Sequence, residues 1–184
     1  MFLTNPSGFI SSNLGWANVI SPSNIQTVDI DSLVKPNPGQ NFLIGSFVDA
    51  MSYLDNYSKC HYTRDILRFT SNMIDGEILT NDDALDFLKY KWLVPSPSCG
   101  TFPICEFINL INILKKSARL FWINGFLMYN DPYQCRTISF LLERLNSFLL
   151  LKTMLNNGVN IENCIGRTII LSDSEKINVG YVDE

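Results

Sequence analysis

The chain has 184 residues, the size of one domain or of one domain with an arm, and a formal net charge of −4. Its 14 Lys and Arg are scattered, the densest clusters being Lys115-Lys116 and the loose Lys89/Lys91, so the basic stripe that neutralises phosphates is missing and nucleic acid is disfavoured as a partner. With 46% apolar and 12% aromatic residues, the composition supports a packed core and lies outside the disordered class.

Residues 1–40 hold Pro6, Pro22, Pro36 and Pro38 among many Asn, Ser and Gly, which argues against long helices. Phe9, Leu14, Trp16, Val19 and Ile25 punctuate the same stretch. We read it as an extended arm whose apolar side chains cover the body of the protein or a partner. From Asn41 the spacing turns helical, and Phe42, Leu43, Phe47, Val48, Met51 and Leu54 predict a first helix to about Asn56. A second is predicted from Thr63 to Asp75-Gly76, with glycine suited to a left-handed cap. Residues 41–81 thus form a pair of N-terminal helices.

Thr80, Asn81, Asp82 and Asp83 place a capping residue and first-turn acids at the head of a third helix, which Leu85, Leu88 and Trp92 carry to Leu93. Pro95 and Pro97 end it. Ile104 to Ile111 and Ile113 to Ile123 predict a helix pair that stops at Asn124-Gly125. Ile138 to Leu145 and Phe148 to Leu155, separated at Asn146-Ser147, predict another that stops at Asn157-Gly158, about 33 residues after the first stop. The tail after Leu171 is polar and acidic and reads as an irregular cap.

The unit CRTISFLLERLNSFLLLKTMLNNGVNIEN resembles an ankyrin repeat. Arg136-Thr137 matches that family's opening, Leu141 an inner-helix core position, and Leu150, Leu151, Met154 and Leu155 the outer helix. Asn157-Gly158 matches the helix stop. Gly100-Thr101-Phe102-Pro103-Ile104 opens the preceding unit and Gly166-Arg167-Thr168-Ile169-Ile170 a last one. The pattern departs from the family at Cys135, where glycine is usual, and at Ser139, where leucine is, and it has no histidine in the opening. The resemblance implies an all-α fold over residues 82–184, a short stack of degenerate helical repeats with a C-terminal cap. It also implies a non-catalytic protein–protein interaction module, since repeat stacks present a concave surface to other proteins. Eroded repeats of this composition are similar to those of viral-type ankyrin proteins, which would imply neutralising a host regulatory protein.

For chemistry the sequence offers little. Five cysteines are irregularly spaced with no CxxC pair, and His61 is the single histidine, so no metal site is expected. A thiol–imidazole pair of Cys60 or Cys99 with His61 is the one nucleophilic arrangement to weigh. His61 beside a helix start reads better as a surface residue, and no serine elbow, phosphate-cradling loop or HExxH motif occurs. We expect no enzyme and no cofactor. The N-terminal MFLTNPSGFI lacks the build of a signal peptide, and no apolar run approaches the ~20 residues of a membrane span, so an intracellular protein without membrane attachment is expected.

The expected partner is another protein, with self-association as a second route. Phe126, Leu127, Met128 and Tyr129 put large apolar groups where an ankyrin finger is polar, and they head the candidate contact residues. Trp16 in the arm and Trp92 before Pro95 join them. The competing reading is a structural subunit, in which the arm and the aromatic patches are buried by assembly into a virion or multiprotein complex.

Overall fold

The computed structural model describes residues 17–20, 35–45, 48–49, 51–94, 100–124, 129, 131, 133–165 and 168–171. Helix dominates among them, in keeping with the all-α expectation at that coarse level. The chain divides into two units, one of residues 1–46, 99–101 and 162–184, the other of residues 47–98 and 102–161.

The first unit holds short strands. Strand β1 (Ala17–Ile20) pairs in parallel with Thr168–Leu171, with Ala17 opposite Thr168. Strand β2 (Leu43–Ile44) pairs antiparallel with Gly100–Thr101. Phe42, Leu43 and Ile44 are buried, and the Asn37 side chain donates to the Asn163 carbonyl at 2.6 Å. These strands correct two expectations. The helix predicted from Asn41 gives way to strand at Leu43–Ile44 and at Val48–Asp49, where Ile44 and Val48 are β-branched. Thr168, Ile169 and Ile170, expected to open a helical repeat, are extended for the same β-branched reason. The rest of the expected arm and the acidic tail lie outside the described residues.

The second unit is helical. Strand β3 (Val48–Asp49) leads into α1 (Tyr53–Cys60), capped by Ser52, whose hydroxyl accepts from the Asp55 N–H at 3.1 Å. Helix α2 (Thr63–Asp75) has the predicted bounds. Its glycine acts differently from expectation. Gly76 has φ −87°, and the left-handed residue is Glu77 at φ 55°. A Cβ on Gly76 would overlap Leu120 Cδ1, so this glycine allows the close approach of that side chain.

Helix α3 (Asn81–Lys89) starts at the expected capping residue Thr80, which forms a reciprocal capping box with Asp83. It stops at Lys89 rather than Leu93, because Tyr90 turns extended and Trp92–Leu93 forms strand β4 against β3.

Helices α4 (Ile104–Ile123) and α5 (Thr137–Asn156) overturn the repeat geometry. Each predicted helix pair is one unbroken helix of 20 residues, so the two-helix ankyrin unit over 135–168 is not formed. The sequence around Leu110–Asn112 contains no helix breaker. At the other expected turn, Ser147 stays helical while its hydroxyl accepts from the Val94 N–H at 2.8 Å. The predicted stop at Gly158 is met, with φ 68° and the Val159 N–H donating to the Met154 carbonyl at 2.9 Å.

All five helices contribute to one core. Phe69 meets Phe121 edge-on with centroids 5.6 Å apart, Phe87 meets Tyr53 at 5.5 Å and Phe148 at 5.7 Å, and Leu141 and Leu145 of α5 are fully buried among them. Edge-on packing of this kind suits the ring quadrupoles and fixes ring orientation beyond what simple burial would.

Candidate functional site: an aromatic cleft with a lysine rim

From the last residue of α3 to the first of β4 the chain reads Lys89, Tyr90, Lys91, Trp92, basic and aromatic in alternation. Extended backbone sends neighbours to opposite sides, and the segment is held at several points. The Tyr53 N–H donates to the Tyr90 carbonyl at 2.8 Å, and the Tyr53 hydroxyl donates to the Trp92 carbonyl at 2.6 Å. Burial raises the Tyr53 hydroxyl far above its ordinary pKa, which keeps it a donor. Ser147 holds the next residue but one, Val94, from α5.

Beside this strap lies a cleft of about 560 Å³, lined by Asp86, Lys89, Tyr90, Lys91 and Trp92 on one side and Phe148, Lys152, Leu155 and Asn156 of α5 on the other. Its volume suits a peptide side chain or two, or a small molecule. Tyr90 packs edge-on to Phe148, 5.1 Å between centroids and 85° between planes, and to Trp92 at 6.2 Å. Trp92 and Leu155 nonetheless keep 39% and 52% of their surface exposed. Both therefore present apolar surface to solvent at the cleft.

The rim is cationic. Lys89 and Lys91 are exposed. Lys152 lies over the Phe148 ring, 5.8 Å from its centroid, and binds the Asp83 carboxylate. Lys152 and the capping contacts of Thr80 hold the Asp83 carboxyl below the usual range, against the opposing effect of its partial burial. Three lysines face one lining carboxylate, Asp86, in a chain whose net charge is −4.

Of the expected contact residues, Trp92 lines this cleft. Trp16, Phe126, Leu127 and Met128 lie outside the described residues. Tyr129 is anchored within the helical unit: its hydroxyl donates to the Asp65 carboxylate at 2.8 Å and accepts from Arg64 Nη2 at 3.0 Å, with its ring beside Tyr62. Tyr90, Phe148, Leu155 and Lys152 do not stand out as contact residues in the sequence, where Lys89 and Lys91 read as scattered charge. The alternation of residues 89–92 was the available signal for half of the site. Nothing local pointed to its other wall, which comes from α5.

His61 is a correction. It is only 8% exposed, stacked 5.0 Å from Tyr133 and tilted against Phe140 at 4.3 Å, with Nδ1 3.2 Å from Gln134 Oε1. Gln134 Nε2 donates to the Cys60 carbonyl at 2.8 Å, so its Oε1 is the acceptor and His61 Nδ1 carries the proton. The imidazole therefore has a structural partner. Cys60 is exposed while His61 is buried, and Cys99 lies outside the described residues. Among the described residues no group of three or more His, Cys, Asp or Glu is placed to hold a metal, and no helix is long and apolar enough to cross a membrane.

Comparison with protein-family models gives no match, and comparisons with curated proteins and with solved structures give none either.

Proposed function

We propose that the protein is a non-catalytic protein-interaction module whose contact site is the cleft between the Lys89–Trp92 strap and α5. The observation that carries this reading is the exposure of Trp92 and Leu155 at the mouth of an aromatic-lined cleft. A fold that buries six aromatic rings in its core leaves Trp92 and Leu155 part-exposed at one cleft, and such groups are the usual anchors of protein contacts.

Panning a random peptide phage library on the immobilised protein tests the reading. Peptides with a large apolar residue should be enriched on the wild type and lost on the Trp92→Ala/Leu155→Ser double variant. Equal enrichment on both proteins would remove the cleft as the contact site.

A second reading, assembly through copies of this chain, is favoured by α4. Its outer face exposes Ile104, Phe107 and Ile108 at 71%, 37% and 50%, although a helix apolar on both faces is normally covered on both. Light scattering decides it. An oligomer that becomes monomeric in Ile104→Lys/Ile108→Lys supports assembly, and a wild-type monomer at high micromolar concentration ends that reading.

A further inference from the structure

We infer that the partner segment seated in the Trp92 cleft is an acidic peptide, with an aliphatic or aromatic anchor flanked by Asp or Glu. The inference rests on the interaction reading above and adds the chemistry of the occupant.

Its basis is charge placement. The chain is acidic overall, yet Lys89, Lys91 and Lys152 converge on one cleft with Asp86 as the only lining carboxylate among the described residues. Lys152 is partly neutralised by Asp83. Lys89 and Lys91 are exposed and stand at the mouth with Trp92 between Lys91 and the next strand residue, Leu93. An apolar floor with a cationic rim is complementary to an apolar side chain with carboxylates on either side. The rim charges would steer encounter and select sign, while Trp92 and Leu155 would supply the contact area.

A single-stranded nucleic acid also meets lysines and aromatic rings. It is disfavoured by the overall negative charge and by the packing of the rings. Tyr90 and Phe148 lie edge-on against each other, and Leu155 offers no stacking plane. A neutral apolar segment would leave the lysines without a role.

The test uses three fluorescein-labelled dodecapeptides with identical Phe and Leu anchors and flanks of Asp/Glu, Gln or Lys, together with labelled twelve-residue oligothymidylate. Binding is followed by anisotropy at 20 mM and 300 mM NaCl. At low salt the acidic peptide should bind roughly tenfold more tightly than the Gln peptide, and the gap should close at high salt, as expected for rim charges beyond the Debye length. Lys89→Glu/Lys91→Glu should reverse the order in favour of the Lys-flanked peptide. Lys152 is left intact because it ties α5 to Asp83, and far-UV circular dichroism checks the variant's fold.

If the Gln peptide binds as tightly as the acidic one, or if the charge reversal leaves the order unchanged, the acidic partner is refuted while the cleft remains a contact site. Tighter binding of oligothymidylate than of the acidic peptide refutes it in favour of nucleic acid. If no peptide binds and Trp92→Ala/Leu155→Ser behaves as wild type, the interaction reading falls and this inference with it.

Discussion

Helices α4 and α5 each have 20 residues and a largely apolar sequence, and they are used in opposite ways. Helix α5 is buried at ten positions, four of them the polar residues Thr137, Arg144, Asn146 and Ser147. Helix α4 is buried at three, Leu110, Ser117 and Phe121, and exposes isoleucines on its outer face. Two of the polar groups inside α5 hold neighbouring segments: Ser147 receives Val94, and Arg144 donates to Asn56 Oδ1 at 2.5 Å as well as to the Phe140 carbonyl of its own helix at 2.9 Å. In α4 several apolar groups are outside, Ile104 and Ile108 at 71% and 50% exposure. Position in the core is therefore a poor guide to polarity in this protein. The residues that break the inside–outside rule in α5 serve the fold, and those that break it in α4 are available for contact.

The comparison would break most visibly under truncation. Leu145→Ala removes a fully buried α5 side chain from the middle of the core and should cost about 3 kcal/mol in urea unfolding. Ile108→Ala on the exposed face of α4 should change stability by less than about 0.5 kcal/mol. Equal losses would mean that the outer face of α4 is covered and that the contrast drawn here is false.

A smaller effect sharpens the polar half of the contrast. Arg144→Met keeps much of the side-chain volume and the contact with Tyr57, over whose ring the guanidinium lies at 5.2 Å, but removes the donors to Asn56 and Phe140. Loss of charge-assisted hydrogen bonds in a buried setting should cost about 2 kcal/mol. An unchanged unfolding midpoint would show that α5 tolerates an apolar residue there and that its buried polarity is incidental.

Much of the helical scaffold is legible in the sequence where local signals agree with tertiary demands. Thr63 to Asp75 shows helical spacing that a buried face of Ile66, Phe69 and Met73 then requires. Thr80 and Asp83 form a capping box because both partners lie within one turn. The errors arise where distant partners decide. Asn146-Ser147 looks like a turn because Asn and Ser favour turns, and it remains helical because Ser147 finds Val94 from 53 residues away. The span 43–49 looks helical by spacing, and its short strands depend on Gly100–Thr101 and Trp92–Leu93. The cleft was half legible for the same reason. Trp92 stands out by itself, whereas Phe148, Lys152 and Leu155 become site residues only when α5 is brought beside the strap.

The subtlest expected effect concerns His61, which packs against the first turn of α5 through Phe140. Burial lowers its pKa below the ordinary 6.5; Arg144 acts in the same direction, while the Gln134 bond and Asp65 oppose it. The folded state therefore binds a proton less readily than the unfolded chain. The stability contribution is complete above the unfolded value near 6.5 and is lost as pH falls through that value towards the lower folded one. With a single histidine in the chain, the assignment is clean. The urea midpoint should be flat from pH 8 to 7 and fall between pH 6.5 and 5. His61→Phe, which retains an aromatic ring against Tyr133 and Phe140, should flatten that fall. The Asp83 carboxyl, held below its ordinary 3.8, contributes stability above that value and loses it only in more acidic solution, so it does not confuse the window. A wild-type midpoint that stays level to pH 5 would show that the imidazole is protonated in place without cost, and that the polar residues around the start of α5 form a more tolerant site than their burial implies.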